Sequence, residues 1–271
     1  MPQPENYKNR LPKKVAIVTG AGAQENGVGT GSAIACLFAA EGAKVCLVDI
    51  DRDRAEVTLE LIKSLGSDAF ICQADVTDAD DCEKVIEATL TQYGHIDILV
   101  NNVGITGGGT LETLNTNTWD RVLQTNLTSA MLMSKYAMAS LIRSGGNVLN
   151  IASLAALRAH GANLAYSSSK AAMITMTNEL AVIYGPQGVR SNAIAPGHIY
   201  TPLVQQALNE RQRSKRRLVS PLQIEGDAWD VATAAVFLAS DEARFITAVC
   251  LPVDGGVSQI AGLTAALRRS P

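Results

Sequence analysis

Between Ala165 and Met173 the chain reads AYSSSKAAM, with Tyr166 and Lys170 four positions apart. On a helix that spacing places both groups on one face, one turn apart. A free tyrosine is a poor base at neutral pH, since its phenol titrates near ~10, but a neighbouring cation favours the phenolate. Together the two side chains form an acid–base pair able to take a proton from an alcohol or give one to a carbonyl oxygen. A lone Tyr-x-x-x-Lys is also what a solvated helix face looks like. The neighbours Ala171, Ala172, Met173 and Ile174 look built for burial, so the pair needs support from the rest of the chain.

The elements that would carry such a pair are legible as short apolar runs alternating with helical patterns. The runs are Val15–Thr19, Lys44–Asp49, Ala69–Asp75, Ile96–Asn101, Asn147–Ser153, Val189–Pro196 and Ala248–Gly256. Most are continuously hydrophobic, as expected of strands covered on both faces. Between them, Ile34, Leu37 and Phe38 share one helical side, with Gly42 as the stop. Ala55, Leu59 and Ile62 make a second stripe, and Val85, Ile86 and Leu90 a third, capped by Thr77 or Asp78. This alternation predicts an α/β fold, a Rossmann-type doubly wound parallel sheet, in one domain over 13–271 with a loose arm at 1–12.

The first strand runs into a helix through VAIVTGAGAQENGVGTGSAIA, with glycines at Gly20, Gly27 and Gly29 and Val28 between the last two. A loop free of side chains lets phosphate oxygens reach backbone amides, and the helix N-terminus adds partial positive charge. Glycine-rich turns are common, but here a strand precedes, a helix follows and an acidic residue ends the next strand. That residue, Asp49, can accept hydrogen bonds from ribose hydroxyls and would repel a 2′-phosphate. With no Lys or Arg in the glycine loop and Glu25 adding negative charge, NAD is favoured over NADP. Asp49 could also be an ordinary turn residue beside Asp51 and Asp53, and Arg52 and Arg54 weigh towards NADP. Asp75 and Val76 end the third strand, where an adenine edge would lie, and Asn101-Asn102-Val103-Gly104 ends the fourth.

In this order and spacing the residues add up to a pattern. From about Lys13 to Gly256 the chain resembles the classical short-chain dehydrogenases/reductases, on Thr19-Gly20 with Gly27 and Gly29, Asp75, Asn101–Gly104, Asn126, Ser153, Tyr166 with Lys170, and Pro196-Gly197 followed by Thr201. Two departures stand out. Six residues separate Gly20 from Gly27 where the family has three, and Val103 replaces the usual alanine. The resemblance implies an NAD-dependent oxidoreductase moving a hydride between nicotinamide and a secondary alcohol or ketone. It makes Tyr166 the catalytic acid–base and Ser153 the hydrogen-bond donor to the substrate oxygen. It assigns Lys170 also to the nicotinamide ribose, Asn126 to a water that relays protons from Lys170, Ile199 and Thr201 to the nicotinamide amide, and Asn102 to the cofactor. An NADPH-dependent ketone reductase and a non-catalytic NAD-binding regulatory protein are the alternatives.

Bulk properties agree with a small-molecule enzyme. Of 271 residues, 47% are hydrophobic and the net charge is −3, which disfavours nucleic acid as a partner. The cysteines at 36, 46, 72, 82 and 250 form no Cys-x-x-Cys pair and read as buried, reduced thiols. The opening residues hold no apolar signal core and no run reaches membrane-spanning length, so a cytoplasmic protein is expected. His95, His160 and His198 lack ligand spacing, so no metal is expected, although His160 could reach a substrate pocket. Residues 202–226 fall where the family carries a substrate lid. Their cluster of Arg211, Arg213, Lys215, Arg216 and Arg217 could attract an anionic substrate or cover the cofactor. The resemblance also implies a homotetramer or homodimer.

Overall fold

A computed structural model describes residues 9–23, 27–159, 161, 163–205, 208–262 and 264. Its elements follow the predicted alternation: β1 Val15–Thr19, α1 Thr30–Ala40, β2 Lys44–Asp49, α2 Arg52–Ser64, β3 Ala69–Gln73, α3 Ala79–Tyr93 and β4 Ile98–Asn101. Then come α4 Thr116–Leu123, a π-helical turn Gln124–Thr128, α5 Ser129–Ser144, β5 Asn147–Ile151, α6 Leu154–Leu157, α7 Leu164–Tyr184 and β6 Arg190–Pro196. The chain continues through β7 Ile199–Tyr200, α8 Pro202–Gln205, α9 Glu210–Val219, β8 Gly226–Asp227, α10 Ala228–Ala239 and β9 Cys250–Val253.

Seven strands form one parallel sheet in the order β3-β2-β1-β4-β5-β6-β9. The order reverses between β1 and β4, and a cleft at the carboxyl ends of the strands opens at such a switch point. Residues of β1, β4 and β5 are buried throughout, which is why they read as unbroken apolar runs. On one face, Ile34 and Phe38 of α1 pack with Val231 and Ala235 of α10 over Val18 and Val45. On the other, Val85 and Ile86 of α3 meet Met133 and Ala137 of α5 over Ile17 and Leu99.

Local chemistry explains the helix ends. Asp78, one of the two capping candidates, accepts a hydrogen bond from the Asp81 amide at 3.0 Å and starts α3. Gly42, at φ +93°, takes the left-handed turn that leads α1 into β2.

Three details differ from the expectations. Residues 1–8 of the arm lie outside the described residues, but Asn9–Pro12 pack on the body. Leu11 is fully buried with its amide on the Glu41 carbonyl at 2.9 Å, and Arg10 pairs with Glu242 at 2.7 Å. Cys72 and Cys250 are partly exposed because β3 and β9 are the sheet's two edges. A two-stranded parallel ladder of β7 and β8, absent from the sequence reading, brackets the lid: Ile199 pairs with Gly226 and Tyr200 with Asp227.

Candidate active site

The carboxyl ends of β1, β2, β3 and β4 surround a cleft of about 500 Å³, lined by Gly20, Asp49, Asp75, Val76, Asn102 and Gly104 among others. A recess of about 200 Å³, sharing Asn102 and Gly104 with it, is lined by Ser153, Tyr166, Lys170, Ile199 and Thr201. Residues spread over a hundred positions of sequence thus converge on one wall. β5 ends at Ile151 and delivers Ser153, the N-cap of α6, whose Oγ accepts from the Ala155 amide at 3.1 Å. The first two turns of α7 deliver Tyr166 and Lys170.

Polarity and burial are inverted on α7. Lys170 is 3% exposed, while Ala171 faces solvent and only Met173 among the four apolar neighbours is fully buried. The ammonium donates to the Ile151 carbonyl at 2.7 Å. Burial lowers its pKa to about 8, since taking an ammonium out of water disfavours the charged form. Burial likewise pushes the Tyr166 phenol upward, opposed by the Ser153 hydroxyl beside it. Desolvation of the phenol outweighs the opposing Ser153 hydroxyl, which holds Tyr166 above its ordinary value and favours the protonated form.

Asn126 is wholly buried in the π turn, and such turns are frequent at functional sites. Its Oδ1 accepts from the Ile105 amide at 2.7 Å, and its Nδ2 donates to the Ile105 carbonyl at 2.9 Å and to Ser169 Oγ at 3.0 Å. The Ser169 hydroxyl donates to the Tyr166 carbonyl at 2.8 Å. The loop after β4, the π turn and α7 are therefore joined by one hydrogen-bonded chain.

Known proteins point the same way. A family profile described as enoyl-(acyl carrier protein) reductase matches residues 22–258. A 2,5-dichloro-2,5-cyclohexadiene-1,4-diol dehydrogenase of Sphingobium indicum is 36% identical over 92% of this chain and 98% of its own. The chain belongs to the short-chain dehydrogenase/reductase family. Among solved structures, a Burkholderia xenovorans protein described as a member of this family is 42% identical, with a TM-score of 0.90 over 93% of this chain and 99% of that one. A 7α-hydroxysteroid dehydrogenase complexed with NADH and 7-oxo glycochenodeoxycholic acid is 33% identical, with a TM-score of 0.86 over 94% and 98%. The protein is an oxidoreductase of this family, whose members use NAD(H) or NADP(H) on CH–OH groups.

The residues present fit a dinucleotide. α1 starts at Gly29 with no side-chain cap and no acid in its first turn, and a Cβ on Gly29 would meet nothing within 4 Å. An uncapped, unobstructed helix N-terminus is a cradle for pyrophosphate. Gly20, at φ +62°, turns the chain out of β1. Asp49 Oδ2 accepts from the Gly22 amide at 2.8 Å and Oδ1 from the Asp51 amide at 3.0 Å, which fixes the carboxylate at the cleft. Asp75 Oδ1 is held by Thr77, and Val76 lines the same wall.

The other two residues of the glycine segment have protein neighbours: Gly27 faces Pro202 of the lid, and Val28 packs on the core. Both amide hydrogens of Asn102 go to the Thr19 and Gly20 carbonyls at 3.0 Å, tying β4 to the glycine loop and leaving only acceptors for a ligand. Gln24–Asn26 and His160 lie outside the described residues. Gly31 was missed: a Cβ there would lie 2.1 Å from the Gly20 carbonyl, so no other residue lets α1 approach the loop so closely. Two of the five lid cations, Arg213 and Arg216, pair with Glu225, and Arg217, bonded to Glu210, lies 3.9 Å from it.

Proposed function

We propose that the protein is an NAD-dependent dehydrogenase that interconverts a secondary alcohol and its ketone, with Tyr166 as acid–base, Ser153 as oxygen-binding donor, and Lys170 and Asn126 in support. The observation that carries this reading is the single recess lined by Ser153, Tyr166, Lys170, Ile199 and Thr201 at the end of β5. A non-catalytic binding protein has no need of a buried lysine beside a tyrosine and a serine.

Bound NAD supplies the carbon that accepts or delivers the hydride. The chain's residues do the rest. Tyr166, protonated at neutral pH, gives its proton to the carbonyl oxygen in reduction and must lose it before oxidation. Ser153 donates to the same oxygen and stabilises its developing charge. Lys170, with Nζ held on the Ile151 carbonyl and 4.0 Å from Met173 Sδ, lines the recess and would offer a hydrogen to ribose hydroxyls there. With a pKa of about 8 it exchanges protons readily near neutrality, a useful property for refilling Tyr166. Asn126 holds the backbone through which a relaying water would be bound. Ile199 and Thr201 position the nicotinamide amide and thus select the ring face.

NAD rather than NADP is supported by the fixed Asp49 carboxylate, which would face a 2′-phosphate. The two arginines that argued otherwise are engaged elsewhere: Arg52 pairs with Glu56 at 3.0 Å and Arg54 with Asp51 at 3.1 Å. A cytoplasmic homotetramer or homodimer fits the exposed apolar Val182, Ile183 and Phe245, which association would cover.

The test is a panel of secondary alcohols, diols, hydroxysteroids and their ketones, assayed with all four nicotinamide cofactors by absorbance of the reduced ring. Turnover with NAD or NADH above that with NADP or NADPH supports the reading. Turnover with only the phosphorylated pair sinks the cofactor assignment, and none with any combination, despite cofactor binding, favours the regulatory alternative.

A further inference from the structure

The densest positive charge in the chain lies on α9, and the structure turns it towards one buried carboxylate. The Glu225 side chain is 5% exposed. Arg213 Nε reaches its Oε2 at 2.9 Å, Arg216 Nη1 its Oε1 at 3.4 Å and Arg217 Nη1 its Oε2 at 3.9 Å. Two of these arginines also touch β7: the Arg213 guanidinium lies 3.6 Å from the Tyr200 ring centroid, and Arg216 Nη2 donates to the Ile199 carbonyl at 3.3 Å. Glu210 takes a further bond from Arg213, at 3.2 Å, and one from Arg217. Glu225 immediately precedes β8, which ladders onto β7. One carboxylate therefore clasps α9, β7 and β8 together.

Apolar burial cannot do this alone, because Val219 is the single fully buried side chain that α9 contributes. Charge does it instead. Without Glu225, Arg216 would lose its carboxylate partner, and Arg213 and Arg217 would keep only the exposed Glu210. The same geometry takes those arginines away from the role of recruiting an anionic substrate. Arg211 and Lys215 are exposed and make no ion pair among the described residues.

We propose that Glu225 is a positioning residue for the dinucleotide, clasping α9 onto β7 so that the backbone at Ile199 and Thr201 is held ready for the nicotinamide amide. This rests on the role given to Ile199 and Thr201 above. Before cofactor arrives, the clasp keeps the base of the lid in place; without it that ordering must be supplied by the cofactor's own binding energy, which raises its dissociation constant.

The experiment compares the full-length wild type with Glu225→Gln, which keeps shape and removes charge, and with Glu225→Asp. Two readouts are taken: trypsin cleavage within α9 in the absence of cofactor, and NADH affinity by fluorescence titration. In Glu225→Gln, cleavage accelerates by roughly tenfold or more and the NADH dissociation constant rises by roughly tenfold, as expected when one partner of a buried ion cluster is lost. The KM for NAD rises more than kcat falls, and Glu225→Asp recovers part of each loss. Unchanged cleavage refutes the clasp; faster cleavage with unchanged NADH affinity refutes its role in positioning. If Glu225→Gln does not fold, Arg216→Met, which removes the Ile199 contact and keeps Glu225 paired, is judged by the same readouts. The cleavage readout needs no cofactor and so stands apart from the functional reading. A wild type that fails to bind NADH refutes that reading and, with it, the positioning role.

Discussion

Replacing Lys170 by methionine removes a buried charge while keeping an unbranched side chain of similar length. In the folded protein the ammonium sits 3% exposed, donating to the Ile151 carbonyl at 2.7 Å and, weakly, to Met173 Sδ at 4.0 Å. Burial lowers its pKa from 10.5 to about 8. A displacement of about 2.5 units corresponds to roughly 3 kcal/mol of penalty on the charged form, at about 1.4 kcal/mol per unit. Losing the bond to Ile151 returns about 1 kcal/mol of that. The cofactor-free methionine variant is therefore more stable than wild type by roughly 1–2 kcal/mol at neutral pH, while its turnover collapses.

The pH dependence carries a second signature. Between about 8 and 10.5 the unfolded lysine binds a proton that the folded one does not, so wild-type stability from this group rises with pH through that window. Below about 8 the full penalty is present, and above 10.5 it is gone, so the advantage of methionine fades as the solution becomes alkaline. Urea denaturation of both proteins, without cofactor, at neutral and alkaline pH measures this. A methionine variant less stable than wild type at neutral pH, or an advantage that grows with pH, would show that Lys170 is a stabilising structural charge and refute the reasoning.

Two further substitutions test the cofactor site. Asp49→Ser removes the carboxylate held by the Gly22 amide, and the ratio of kcat/KM for NAD over NADP should fall by about tenfold or more; an unchanged ratio would remove Asp49 from cofactor choice. Gly31→Ala drives a methyl to 2.1 Å from the Gly20 carbonyl and should cost about 1–3 kcal/mol of stability together with most NADH affinity, read by denaturation and titration; wild-type behaviour in both would show that the glycine loop is pliable there.

How much of this was legible in the sequence depended on the range over which the deciding forces act. The strands were readable because β1, β4 and β5 are buried on both faces and so carry unbroken apolar runs. The proposed catalytic set could be read because Ser153, Tyr166 and Lys170 keep a recognisable spacing, and the three line one recess. What escaped was settled by tertiary contacts. The ladder of Ile199–Tyr200 with Gly226–Asp227 is two residues long and has no periodicity to detect. The π turn at Asn126 interrupts a run of helical sequence that offers no breaker. The cations of α9 read as groups for an anionic substrate or the cofactor because Glu225 lies outside the helix and reaches them only after the chain folds back. Gly31 owes its identity to the Gly20 carbonyl eleven positions earlier. Lys170 invites a surface reading that only its position beneath the end of β5 overturns.

The account stands on proton transfer by the phenol at Tyr166, whose removal leaves the recess and its other residues in place. The most direct measurement takes Tyr166→Phe, titrates NADH by fluorescence and then follows turnover of the best substrate from the panel. The account expects NADH affinity within about twofold of wild type and turnover lower by roughly 10²–10⁴-fold, the usual contribution of a positioned acid–base group. Turnover at the wild-type rate would contradict it.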